Sequence, residues 1–171
     1  MNEMVNVGWY PDWTKTTAIY DNVLYPFVKV WEELDELSQL NDSGSVSDVI
    51  KELGDVGYYI GAIGISLAEL TNGDFGYVSL WSSIYSDGWH RRTDMWHSLA
   101  VICGKAGKIT RDGYTEGKYI TELVNQYTTL MMAYHDACLF YGGIEYILEV
   151  NKLKLEDRKE RGVISGDGDN R

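Results

Sequence analysis

A chain of 171 residues, 44% of them hydrophobic and 13% aromatic, carries enough apolar surface for one packed core and reads as a single domain. Its formal net charge of −11 excludes a protein that grips nucleic acid polymers or an acidic membrane surface through a basic face. No stretch reaches about 18 uninterrupted apolar residues, and the start, MNEMVNVGWYPDW, lacks the basic-then-apolar pattern of a leader. A soluble, cytoplasmic protein is expected, with Cys103 and Cys138 as free thiols because two cysteines are too few for a disulfide framework.

Residues 1–16 are rich in Trp, Tyr and Gly and show no clear period. Pro26 suits the first turn of a helix, whose apolar side runs through Val28, Trp31, Leu34 and Leu37. Asn41-Asp42-Ser43-Gly44-Ser45 reads as a loop. Ser47 offers an N-cap with Asp48 behind it, opening a second helix through Glu52, Asp55, Tyr58, Tyr59 and Ile63 that stops near Thr71-Asn72-Gly73-Asp74. The aromatic stretch 75–95 has no clear period. A third helix is expected over about 93–109, a fourth over about 117–140 up to Gly142-Gly143, and a fifth over about 144–161. The glycine-rich tail 166–171 cannot be regular helix. The expected fold is therefore all-α, a helical bundle.

Two acidic motifs carry the chemistry, Glu32-Glu33-Leu34-Asp35-Glu36 and Glu52-Leu53-Gly54-Asp55, with fifteen residues between them. Positions three and four apart share a helix face, so Glu33 and Glu36 point one way, and Glu52 and Asp55 do likewise. Side by side, these helices would gather four carboxylates, an arrangement that hard divalent cations such as Mg2+ or Mn2+ neutralise through oxygen ligands. The plainer reading is two solvated acidic helix faces. No histidine falls in either motif, which disfavours a di-iron site built on Glu-x-x-His. His90, His97 and His135 with the two cysteines fit no zinc spacing and read as packing residues.

A weak internal echo follows. Gly104-Lys105-Ala106-Gly107-Lys108 precedes Glu122-Leu123-Val124-Asn125 at nearly the separation of the acidic motifs. Lysines stand there in place of Glu33 and Glu36, and Asn125 in place of Asp55. The echo is either chance similarity of amphipathic helices or the trace of a fused tandem of two helical hairpins with a decayed second copy. Near the end, Asn151, Lys154, Arg158 and Arg161 form a basic stripe, suited either to phosphate or to an ordinary helix C-terminus.

Taken in order, these residues resemble the MazG-like all-α nucleoside triphosphate pyrophosphatases, particularly small viral (phage) members. The resemblance covers Thr17-Ala18-Ile19-Tyr20, Leu24-Tyr25-Pro26 and both acidic motifs, the second as Lys51-Glu52-Leu53-Gly54-Asp55-Val56. It returns at Asn151-x-x-Lys154-Leu155-x-x-Arg158-x-x-Arg161-Gly162-Val163 and closes on Gly166-x-Gly168-Asp169-x-Arg171. It skips residues 71–143, where ordinary small members pass directly to the Asn-Lys helix. On this likeness 17–70 is the acidic metal-binding half, 71–143 an insert or decayed second copy, and 144–171 the basic helix and tail.

The resemblance implies that Glu33, Glu36, Glu52 and Asp55 bind two or more Mg2+ ions, with Mn2+ as a substitute. It makes Glu33 catalytic as well, and Glu32 either a further ligand or the group that orients the attacking water. Asn151, Lys154, Arg158, Arg161 and Arg171 would hold the substrate. The implied reaction turns a nucleoside triphosphate into a monophosphate and pyrophosphate, in the host cytoplasm if the source is viral, with a homodimer or homotetramer as the assembly. A dUTP or dCTP diphosphatase of the same superfamily and a non-catalytic nucleotide-binding helical module are the alternatives. Trp9, Trp13, Trp31 and Trp81 are available to stack on a base.

Overall fold

The computed structural model describes residues 4–17, 20–40, 44–85 and 88–162. Within them the chain is an all-α bundle of five long helices joined by two short ones. The long helices are α2 (Tyr25–Gln39), α3 (Val46–Leu70), α5 (Arg92–Asp112), α6 (Ile120–Leu139) and α7 (Ile144–Glu160). The aromatic stretches without a clear period hold the remainder, α1 (Trp9–Thr14), α4 (Tyr77–Trp81), and a two-stranded ribbon of β1 (Met4–Val5) and β2 (Ile84–Tyr85). The ribbon is antiparallel, with Met4 opposite Tyr85 and Val5 opposite Ile84. These pieces are too short for a period to show, and their aromatic side chains rather than a repeating stripe fix them.

α3 is the central element, packing against α1, α2 and α7, while α5 and α6 form a second helix pair. Its glycines explain the close approach of its neighbours. A Cβ on Gly54 would stand 2.8 Å from Cβ of Asn151 on α7, and one on Gly57 would collide with the hydroxyl of Tyr134 on α6 and lie 2.8 Å from Leu148 Cδ2. That hydroxyl donates to the Leu53 carbonyl at 2.8 Å, and Tyr134 is fully buried, so it cannot swing aside.

Gly→Ala in a helix interior normally gains up to about 1 kcal/mol. At Gly57 overpacking and the displaced hydrogen bond reverse the sign, and Gly57→Ala should lose about 2 kcal/mol, roughly 4–8 °C in Tm. Gly104→Ala on α5, where a Cβ meets nothing within 4 Å, should instead be neutral or stabilising. Thermal unfolding followed by circular dichroism compares the two.

Two local expectations need correcting. The N-cap of α3 is Ser45, whose hydroxyl accepts from the Asp48 amide at 3.2 Å, not Ser47. Ser45 sits three residues before Asp48 and has extended backbone, the geometry of a cap, whereas Ser47 is already inside the helix. Val28 is not on the apolar side of α2; it is 69% exposed, and Phe27, Val30, Leu34 and Leu37 are the buried positions. Trp81 is fully buried, its indole N–H donating to Tyr127 Oη at 2.9 Å, so it belongs to the core.

Candidate metal centre

The antiparallel contact of α2 with α3 brings the two acidic motifs face to face. α2 buries Leu34 and Leu37 and α3 buries Val49, Leu53 and Val56, and these apolar stripes fix the rotation of each helix. Glu33, Glu36 and Glu52 then each offer an oxygen within 4.8 Å of the others. Two oxygens on opposite sides of one Mg2+ or Ca2+ ion stand about 4–5 Å apart, so this spacing fits a shared cation. Among the described residues this is the one group of three or more potential ligands, and it holds no histidine or cysteine.

Glu33 is the buried member, with 7% of its side chain exposed. Burial pushes its pKa up to about 7, with the negative charges of Asp55, Glu36 and Glu52 adding to the shift and Lys29 opposing it. In the metal-free protein Glu33 thus keeps a proton that the unfolded chain releases near 4.5. The folded state binds more protons between these values, so Glu33's contribution to stability falls as pH rises through that window. Glu33→Gln should flatten this slope and stabilise the metal-free protein at pH 8 by about 1–2 kcal/mol. Denaturant unfolding in EDTA at pH 5.5 and pH 8 measures it; an unchanged slope would mean that Glu33 is not the group titrating.

Asp55, one turn beyond Glu52, faces α7 as well as the cluster. Lys154 Nζ lies 2.5 Å from both of its oxygens, and Asn151 Nδ2 donates to Oδ1 at 2.8 Å. Asn151 is buried, and its own oxygen accepts from the Tyr10 hydroxyl at 2.8 Å. A chain Tyr10–Asn151–Asp55–Lys154 therefore ties α1, α3 and α7 together at the edge of the acidic cluster. The sequence motifs contain Asp55, Asn151 and Lys154; Tyr10 carries no motif signal and was not legible.

Other candidate residues lie as follows. Glu32 is half-exposed and pairs with Lys29 Nζ at 2.6 Å, and it is not one of the three clustered carboxylates. Lys29 is the residue that motif reading missed; it is buried and also lies 3.8 Å from Glu33 Oε1. Its signal was its placement three residues before Glu32 and four before Glu33. Arg158 is half-buried one turn beyond Lys154 on α7. Arg161 caps that helix and pairs with Asp157 at 2.6 Å. Arg171 and the Gly166–Asp169 part of the tail lie outside the described residues.

Of the tryptophans, Trp9 and Trp13 both lie 5.4 Å from Tyr10, and Trp13 also stands 6.4 Å from Tyr58 with its indole N–H on Glu156. Trp31 packs on Trp96 at 5.3 Å, and Lys152 lies over Trp9.

The α5–α6 pair offers an internal contrast. Lys105 Nζ lies 2.5 Å from Glu122 Oε2, at the positions the echo matches to Glu33 and Glu52. Where the first pair sets carboxylate against carboxylate, the second sets ammonium against carboxylate and needs no added cation. Lys108 and Asn125 are exposed.

No protein-family model, curated protein or solved structure matches the chain.

Proposed function

We propose that the chain is a divalent-metal-dependent nucleoside triphosphate pyrophosphohydrolase acting at the α2–α3–α7 junction. The observation that carries this reading is the meeting of three carboxylates within 4.8 Å beside an aspartate held by a lysine and an asparagine. Acidic ligands for a cation and basic donors for phosphate then stand side by side, in the order in which the sequence resembles the MazG-like enzymes.

A divalent ion held by Glu33, Glu36 and Glu52 would neutralise phosphate oxygens and lower the pKa of bound water. Lys154 and Arg158, one turn apart on α7, would grip phosphate oxygens, and Asn151 would orient Asp55. Water would add at the α-phosphorus while the bond to the α–β bridging oxygen breaks, and pyrophosphate would leave with that oxygen. Glu33, the buried member of the cluster, would act on the attacking water from beside the ion. Glu32, paired with Lys29, would hold the charge balance beside it.

One observation favours the binding-module alternative: Lys154 already neutralises Asp55, as it would in a site that never takes a metal there. The test incubates purified protein with each of the eight common nucleoside triphosphates and dUTP, with and without Mg2+, and separates products by ion exchange. Monophosphate and pyrophosphate formed only with Mg2+ is the expected result. Turnover confined to dUTP or dCTP would select the narrower diphosphatase. Diphosphate with orthophosphate, or no product from any nucleotide, would reject the proposal.

A further inference from the structure

At the corner of the bundle where the end of α6, the start of α7 and the β1–β2 ribbon meet, large apolar side chains stand in solvent. Phe140 is 89% exposed and Trp89 84%, and Met4, Tyr85, Leu139 and Tyr146 are exposed as well. These residues are neighbours. Met4 pairs with Tyr85 across the ribbon. Met4 and Leu139 line one cavity, of about 350 Å3, together with Gly142, against which the Tyr146 ring packs. Leu139 and Phe140 line a second, of about 310 Å3, together with Gly88 and His90, the residues on either side of Trp89. Exposed apolar residues scattered singly need no explanation, but a contiguous set marks an interaction surface.

The charges around this surface indicate what fits it. In a chain of net charge −11, the runs 75–85 and 137–144 hold no charged residue, and both run into this corner. A second copy approaching here meets little like charge. Leu139 is common to the two cavities and so stands between them, with Arg92 lining the cavity on one side and Glu145 lining the cavity on the other. A two-fold axis through Leu139 would set Arg92 of each copy toward Glu145 of the other, the self-complementary pairing that an isologous contact needs. Shape matches in the same way, since each copy offers both a protruding Phe140 and open cavities beside it. A partner of one charge sign would find the opposite sign on only one flank.

We propose that this surface is the contact between two copies of the chain, isologous about Leu139. Phe140 and Trp89 are its apolar anchors, the residue types that carry most of the binding energy at the centre of such contacts. Two Arg92–Glu145 pairs close its rim and fix the orientation of the copies. No residue of the carboxylate cluster lies in it, so the contact does not depend on the proposed reaction.

Sedimentation velocity of the full chain between about 1 and about 100 µM tests this, because a dimer is populated by mass action. The mass of two chains is expected at the upper end. Phe140→Asp, at an exposed position where folding is not at stake, should weaken the dimer at least about 100-fold. Arg92→Glu alone and Glu145→Arg alone each set like charges opposite one another and should weaken it about tenfold or more. The two changes combined in one chain re-form the pair with its signs exchanged, and should return the dissociation constant to within about threefold of the wild type. A single-chain mass across the whole range, a dimer that survives Phe140→Asp, or a double variant no tighter than the single ones would overturn the proposal.

Discussion

Glu36→Gln should lower Mg2+-dependent turnover at least about 10²–10³-fold while the helical circular dichroism stays that of the wild type. Glu36 is half-exposed on α2, and glutamine has the same shape, so packing of the buried Leu34 and Leu37 is untouched. What changes is one of three oxygens placed to share a cation. Groups that merely orient a metal ligand cost 10–100-fold when removed, and losing the ligand itself costs more. Asp55→Asn should act similarly by removing the charge at the junction of cluster and basic helix. Steady-state rates with saturating Mg2+ measure both; a rate for Glu36→Gln within about threefold of wild type would remove Glu36 from the metal site.

Lys154→Met should move two quantities in opposite directions. Lys154 Nζ lies 2.5 Å from both oxygens of Asp55, with both side chains roughly one-fifth exposed. An ammonium in that place competes with a divalent cation for the same carboxylate. Its removal should tighten Mn2+ binding, measured by calorimetry without nucleotide, by about tenfold, or about 1.4 kcal/mol. Triphosphate binding should weaken by about 10–100-fold, seen in KM, because a charge-assisted contact to phosphate is lost. Unchanged or weaker metal binding in Lys154→Met would mark Lys154–Asp55 as a permanent structural pair and exclude Asp55 as a ligand.

These two residues also show what the sequence can disclose. The 3–4 spacing of Glu33 with Glu36, and of Glu52 with Asp55, states the shared faces, and apolar stripes on both helices state that the faces meet. The all-α class follows from the same periodicity. It does not state that Asp55 turns toward α7, because that depends on Gly54 and Gly57 admitting α7 and α6 close to α3, a tertiary matter. Lys29 was hidden for a related reason: a lysine three and four residues from glutamates reads as a surface pair, and its burial comes only with packing. Short elements such as α1, which supplies Tyr10, lack the length for a period to register. Ser45 rather than Ser47 caps α3 because a two-residue shift of a helix start leaves the local composition almost unchanged.

Reaction of a deoxynucleoside triphosphate with Mg2+ in H2(18)O, followed by mass spectrometry of the products, tests the central claim most directly. Attack of water on the α-phosphorus predicts one 18O atom in the monophosphate and none in the pyrophosphate. Label in the pyrophosphate, or diphosphate with labelled orthophosphate, would contradict it.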